Sequence, residues 1–83
     1  MALDYSALRS ITAREIISAL KHDGFYLWRQ RGSHQQYHHA DGRRATVTFH
    51  APGQTFTIKV LKSMIELQAQ WDEGDLRRLD LLA

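Results

Sequence analysis

Apolar side chains recur at helical spacing in a first stretch of the chain, and hydrogen-bonding residues mark both of its ends. The apolar positions are Ala13, Ile16, Ile17 and Leu20. Thr12 and Glu15 have the spacing of a capping box, in which each side chain binds the other residue's backbone N–H. Gly24 supplies the left-handed residue that commonly follows a helix. The pattern therefore predicts a helix over about 12–22.

A second helical pattern begins after the loop at 51–54 and ends near residue 70. Its apolar positions are Ile58, Leu61, Met64, Ile65 and Trp71. Either Thr55 or Thr57 can cap this helix. Beyond it, Asp75 is predicted to cap a last short helix that carries Leu76, Leu79 and Leu82. These three leucines either cover the domain or await a partner.

Between the two helical patterns the periodicity changes to that of strands. Phe25, Tyr26, Leu27 and Trp28 are consecutive apolar and aromatic residues, which favour a strand ending near Arg31. A second strand is predicted over about 34–39. The third covers 45–50, where apolar and polar residues alternate as they do in a half-buried strand. The buried face of the first strand stays open, because apolar residues occupy both of its faces.

The parity of the second and third strands predicts which side chains share a face. Tyr37, Val47 and Phe49 lie on one face only if the turn has an odd number of residues, since a one-residue slip moves a whole strand to the opposite face. A turn of Asp41, Gly42 and Arg43 meets this condition. It places His34 opposite His50, Gln36 opposite Thr48 and His38 opposite Thr46. The predicted sheet then has one polar face with three of the five histidines.

The order of elements is α-β-β-β-α followed by a short C-terminal helical tail. We therefore predict an α+β fold, a two-layer sandwich with a three-stranded antiparallel sheet and both helices on one face. This is the general plan of a double-stranded-RNA-binding domain. We predict one domain over 1–83, with a core at about 12–71, an N-terminal extension at 1–11 and a tail at 72–83.

Composition and charge narrow the classes of function. A chain of 83 residues buries too little surface for a deep pocket, so a polymer lying across a surface is a better-suited substrate than an enclosed metabolite. The net charge of +2 is unevenly distributed, because 72–83 has four acidic residues against two arginines. No cysteine is present, and no apolar run approaches the roughly 20 residues that span a bilayer. With no secretory signal pattern, we expect a cytoplasmic protein without a membrane role.

The candidate chemistry lies in residues 29–37. Arg29 and Arg31 alternate and so share one face of their strand, where guanidinium groups can bind phosphate oxygens. His34 can exchange a proton near neutral pH. Gly32 is best interpreted as a strand-ending turn. A metal site built from His34, His38 and His50 is the rival interpretation, but no carboxylate or cysteine joins them, so we predict neither metal nor cofactor.

The ordered series of motifs resembles the HicA toxin family over about residues 12–68. The residues that carry the resemblance are Gly24-Phe25, Arg29, Gly32-Ser33-His34, Tyr37, Asp41-Gly42-Arg43 and Val47-Thr48-Phe49-His50. The resemblance implies a small cytoplasmic mRNA interferase with a double-stranded-RNA-binding-like fold, neutralised by a HicB-type antitoxin. It also implies that His34 is the catalytic histidine. One departure is the segment after Gly53, which usually has more lysines than the two at Lys59 and Lys62.

Within that expectation, the remaining site residues are assigned by position. His50 is the candidate for a second acid or base, because the predicted register sets it across from His34. The candidates for RNA phosphate binding are Arg29, Arg31, Gly32, Ser33, Arg43 and Arg44. Tyr26 and Trp28 could stack on bases, but core packing is the preferred interpretation of Trp28. The alternative functions are a non-catalytic RNA-binding module of the same fold and a protein-interaction subunit whose leucine tail docks a partner.

Overall fold

The computed structural model describes residues 5–8 and 10–82 and confirms the predicted order of elements. A 3-10 turn at Tyr5–Leu8 precedes the first helix. The main elements are α1 (Ala13–His22), β1 (Tyr26–Arg31), β2 (His34–His38), β3 (Arg44–Thr48), α2 (Ile58–Lys62) and α3 (Glu73–Arg78), with a wider π-helical turn at Ser63–Gln68 that continues α2. The fold is α+β, with a three-stranded antiparallel sheet in the order β1-β2-β3.

Hydrogen-bonding side chains begin each helix, and the capping box of α1 is confirmed. The Thr12 hydroxyl accepts from the Glu15 N–H, and the Glu15 carboxylate accepts from the Thr12 N–H. Thr57, one of the two candidates, caps α2 by accepting from the N–H of Val60. Thr55 instead forms an isolated antiparallel bridge with Thr12. This bridge connects the loop before α2 to the start of α1.

The cap of α3 lies three residues earlier than predicted. Asp72, rather than Asp75, is the cap residue, because its carboxylate accepts from the Asp75 N–H at 2.8 Å. Asp75 completes the box by accepting from the Asp72 N–H at 3.0 Å. The tail leucines cover the domain: Leu76, Leu79 and Leu81 are buried in the main core, and Leu82 packs against it.

One face of the sheet is buried and the other is open. The buried strand side chains are Tyr37, Ala45 and Val47, which share one face and join the helices in a single cluster. The other buried members of that cluster come from the turns and helices and include Leu8, Ile11, Ile16, Leu20, Phe25, Leu61, Ile65 and Trp71. Residues 1–4 and Arg9 of the predicted N-terminal extension, and Ala83 of the predicted tail, lie outside the described part of the chain. Within the described residues, no helix is long and apolar enough to cross a membrane.

The β2–β3 register has the predicted parity but is displaced from the predicted pairing. His34 pairs with Thr48, Gln36 with Thr46, and His38 with Arg44, so His50 is not opposite His34. The three-residue loop begins one residue earlier, at Ala40, because the His39 N–H already donates to the Arg43 carbonyl at 2.9 Å. Gly42 takes the left-handed conformation at the end of this loop, with φ of 97°.

Candidate nucleic-acid interface on the open sheet face

The β1–β2 turn brings an arginine directly beside the candidate histidine. Arg31 and His34 are the last paired residues of the hairpin, so only Gly32 and Ser33 form the turn. Gly32 has φ of 58°, which suits glycine at the first position of a two-residue hairpin turn and confirms its structural role. Behind the turn, the Ser33 carbonyl accepts from the Phe49 N–H at 2.7 Å. This bond holds the turn against the end of β3.

A β-bulge in β1 decides which side chains reach the open face. Tyr26 pairs with His38 and Leu27 with Tyr37, but the next pair is Arg29 with Gln36, so Trp28 is the extra residue. A bulge shifts every later side chain of its strand by one position relative to the partner strand. Without it, Arg29 would face the helices. With it, Arg29 and Arg31 lie on the same face as His34 and Gln36, and the predicted sharing of one face by the two arginines is confirmed.

The open face collects most of the predicted site residues. Arg29, Arg31, His34 and Arg44 are exposed on it, and Arg44 pairs with His38 at the far end of β2. Three guanidinium groups and the His34 imidazole therefore lie on one exposed face of the sheet. Such a surface can bind a phosphate-bearing chain and place a proton acceptor beside it, because arginine forms strong hydrogen bonds to phosphate oxygens.

His50 is not part of this paired set. It lies two residues beyond β3, and its backbone N–H donates to the side-chain oxygen of Gln54. The prediction that set His50 across from His34 is wrong because the β2–β3 loop closes one residue earlier. The predicted register was the reason for assigning His50 as a second acid or base, so that assignment has no support from strand pairing. The hydrogen bond from Phe49 to Ser33 does place the backbone of this segment beside the β1–β2 turn.

Arg43 is also separated from the open face, because its guanidinium group is held inside the molecule. Its Nη1 lies 3.1 Å from the Asp23 carboxylate and donates to the Ala69 carbonyl at 2.6 Å. Its Nε donates to the Asp41 carboxylate at 2.7 Å. The group also lies over the Phe25 ring, 5.0 Å from the centroid. The neighbouring residue Arg44 points the other way, as alternation along a strand requires.

Asp23 is the centre of the network that holds Arg43. Its carboxylate also accepts from the Trp71 indole at 2.9 Å and from Arg78 at 2.7 Å. Burial alone would raise the pKa of Asp23, but the hydrogen bonds from Trp71 and Arg78 and the charge of Arg43 outweigh it, so the pKa is lowered. The network connects the end of α1 to the β2–β3 loop and to α3.

The histidines at 38 and 39 have different surroundings. The backbone N–H of Asp41 donates to His39 Nδ1 at 3.0 Å, so Nε2 holds the ring proton and donates to the Asp23 carbonyl at 2.8 Å. His39 is thus a structural residue. His38 lies on the open face, four positions from His34. Among the described residues, no group of three or more His, Cys, Asp or Glu side chains is placed to hold a metal ion.

Tyr26 and Trp28, which the sequence offers as residues that could stack on bases, form an aromatic cluster with His38 on the open face. The Trp28 indole is 50% exposed and stacks on the His38 ring, with centroids 4.4 Å apart and an interplanar angle of 11°. The preferred interpretation of Trp28 as a core residue is wrong. Trp71 packs in the core instead, edge-on to Phe25. The feature that places Trp28 on the open face is the bulge, and the bulge depends on the pairing of β1 with β2.

Comparison with known proteins supports one family. The family model described as "HicA toxin of bacterial toxin-antitoxin" matches residues 13–71, which span α1, the whole sheet and α2. The match covers more than half of the chain and includes the open face. Comparison with individual curated proteins yields no match.

Proposed function

Because the chain belongs to the HicA toxin family of bacterial toxin–antitoxin systems, we propose that it is an mRNA interferase, an endoribonuclease with His34 as its catalytic histidine. The observation that supports this proposal most directly is the pairing of Arg31 with His34 across the β1–β2 turn. Arg29 lies on the same face two pairs further along the hairpin, opposite Gln36. A proton acceptor and two phosphate-binding groups therefore occupy adjacent positions on an exposed surface.

RNA cleavage requires the chemistry that these three side chains can supply. His34 takes the proton from the attacking oxygen, which is the ribose 2′-hydroxyl or a water. The two arginines stabilise the phosphate as it gains negative charge. The leaving oxygen takes its proton from solvent, since the face is open and His50 has no paired position across from His34. We propose mRNA as the substrate because an extended chain can lie along the sheet without being enclosed.

The exposure of the open face also offers a way for a partner protein to neutralise the proposed nuclease. A HicB-type antitoxin is the proposed partner, and covering the open face would keep RNA away from His34. The proposed location of this system is the cytoplasm, where mRNA is available. No cofactor takes part in the proposed reaction.

The His34→Ala variant tests the proposed catalytic role. Loss of a general base typically lowers a rate by about 10²- to 10⁴-fold, and the variant should show that loss against a labelled single-stranded RNA. His34 is exposed, so the free energy of unfolding should change by less than about 0.5 kcal/mol. The matched control is His22→Ala, which removes an exposed histidine from the end of α1. A His34→Ala protein that cleaves RNA as fast as the parent would refute the proposal.

The competing function is a non-catalytic RNA-binding module of the same fold. The observation that favours it is that Thr48, rather than a second histidine, lies opposite His34 on β3, which leaves one histidine for a reaction with two proton transfers. This function predicts salt-dependent RNA affinity without cleavage by the parent protein. A binding titration and a gel of incubated RNA, made with the same preparation, separate the two functions.

A further inference from the structure

The aromatic platform of Tyr26, Trp28 and His38 lies on the open face beside the proposed active site. His38 is its centre, with Trp28 stacked on one side and Tyr26 edge-on at 6.3 Å between centroids. Both Tyr26 and Trp28 are about half exposed, at 53% and 50%. The Arg29 guanidinium lies over the Trp28 ring, 5.1 Å from its centroid.

Packing does not account for the position of Trp28. The residue occupies a bulge, where it interrupts the β1–β2 ladder, and half of its surface stays in water. Trp71 shows the contrast, because its indole is packed in the core: it is only 4% exposed, and its N–H donates to Asp23. The Trp28 ring lies outside the core, with His38 stacked on it, an exposed arginine over it and half of its surface in water. Exposed aromatic rings of this kind are the surfaces on which proteins stack unpaired nucleobases.

We propose that the aromatic platform of Tyr26, Trp28 and His38 is a subsite that binds one unpaired nucleobase of the RNA. This inference rests on the proposed function, because it adds a base-binding subsite to the same surface. Stacking on an indole suits any base, since every base has a flat π face. Arg29 is exposed and can leave the ring for a phosphate or stack on the base itself, as guanidinium planes do in RNA complexes. Bases inside a duplex are already stacked and paired, so they cannot reach the platform.

The strand geometry sets the distance between the platform and the scissile phosphate. His38 and His34 are four residues apart on β2, which is about 13 Å at roughly 3.3 Å per residue. Nucleotides in a stacked strand rise by about 3.4 Å each, so at most roughly four of them cover this span, and an extended strand needs fewer. The bound base is therefore a few nucleotides away from the cleaved bond, with Arg29 and Arg31 between them on the backbone path.

Binding of RNA to proteins that cannot cleave it tests the platform. His34→Ala serves as the reference, and Trp28→Ala and Trp28→Phe are each added to it. The ligand is a short fluorescein-labelled single-stranded RNA, compared by fluorescence anisotropy with the same strand annealed to its complement. Trp28→Ala should weaken single-strand binding by about 5- to 150-fold, which corresponds to about 1–3 kcal/mol for one stacked base at about 1.4 kcal/mol per factor of ten. Duplex binding should be unchanged.

Two controls protect this test against misfolding and general surface effects. Trp28→Phe keeps an aromatic face and should bind more tightly than Trp28→Ala, and both variants should keep the circular dichroism spectrum of the reference. Leu67→Ala removes an apolar side chain that is 75% exposed on the π-helical turn, and it should leave affinity unchanged. In the reference protein, RNA should quench the fluorescence of Trp28, while the fluorescence of buried Trp71 stays constant. The Trp28→Phe protein contains Trp71 without Trp28, so its fluorescence gives this constant background directly.

The outcomes separate this inference from the proposed function. Equal affinity of the reference and Trp28→Ala for the single strand, with cleavage by the parent intact, would overturn the platform and leave the nuclease standing. Weaker binding by Trp28→Ala, with a parent that never cleaves, would support the platform and refute the nuclease. An equal loss for single strand and duplex would overturn base stacking. Loss of antitoxin binding alone would reassign the aromatic platform to protein docking and overturn the proposal.

Discussion

Two neighbouring arginines, Arg43 and Arg44, allow a direct test of which positive charges stabilise the fold and which are available to bind RNA. The sequence makes both of them candidates for phosphate binding, yet Arg43 is part of the Asp23 network in the structure and Arg44 lies on the open face. We expect Arg43→Ala to destabilise the protein without changing its intrinsic RNA affinity. We expect Arg44→Ala to do the reverse. Each variant is therefore the control for the other.

The expected cost of Arg43→Ala follows from the contacts that it removes. The side chain is 19% exposed, and hydrogen bonds to charged groups are worth about 1.5–3 kcal/mol when buried. The bond to the Ala69 carbonyl and the pair with Asp23 are of this kind. Asp41 is 47% exposed, so its pair adds less than about 1 kcal/mol. The two contacts sum to about 3–6 kcal/mol. Because Asp23 keeps its hydrogen bonds from Trp71 and Arg78 and is not left unpaired, we expect the lower part of that range, about 3–4 kcal/mol, or a fall in Tm of about 12–32 °C.

Thermal unfolding and the salt dependence of RNA binding measure the two effects. Arg44→Ala should change the free energy of unfolding by less than about 0.5 kcal/mol. In a His34→Ala background it should lower the slope of log affinity against log salt by about 0.7, the value for one phosphate contact on a single strand. Arg43→Ala should keep the full slope at a temperature where it is folded. A lower slope for Arg43→Ala, or a Tm of Arg43→Ala equal to that of the parent, would refute the assignment of Arg43 to stability and Arg44 to RNA binding.

Two further variants test the interior. Asp23→Asn should cost about 1.5–3 kcal/mol near neutral pH. Because the pKa of Asp23 is lowered by folding, this stabilisation is complete above about pH 5 and is lost as the pH falls through the folded-state pKa, below the unfolded value of about 3.9. In urea unfolding, the difference in free energy of unfolding between the parent and Asp23→Asn should shrink in acid. A difference that stays constant with pH would contradict the role of the ionised Asp23 carboxylate. Leu76→Ala should cost about 2–5 kcal/mol because Leu76 is fully buried in the main core. The exposed Leu67→Ala is its control, and equal losses would show that α3 is not part of the core.

Local signals were sufficient for the identity and limits of most elements. A capping box and helical spacing determine α1, and alternation determines β3, because both depend on residues within a few positions of one another. Parity also predicted correctly that Tyr37 and Val47 share the buried face. The sequence by itself therefore established the α+β order and an open polar face with His34 on it.

The tertiary structure decided what the open face presents. The bulge at Trp28 turns Arg29 outward and exposes an indole, and it exists only because β1 pairs with β2 on both sides of it. The hairpin loop begins at Ala40, which removes His50 from its predicted position opposite His34. Arg43 turns inward because Asp23 and Ala69, distant in sequence, accept its hydrogen bonds. These choices depend on long-range partners, and a change of one residue in register reverses a side chain's face, so only the assembled sheet determines them.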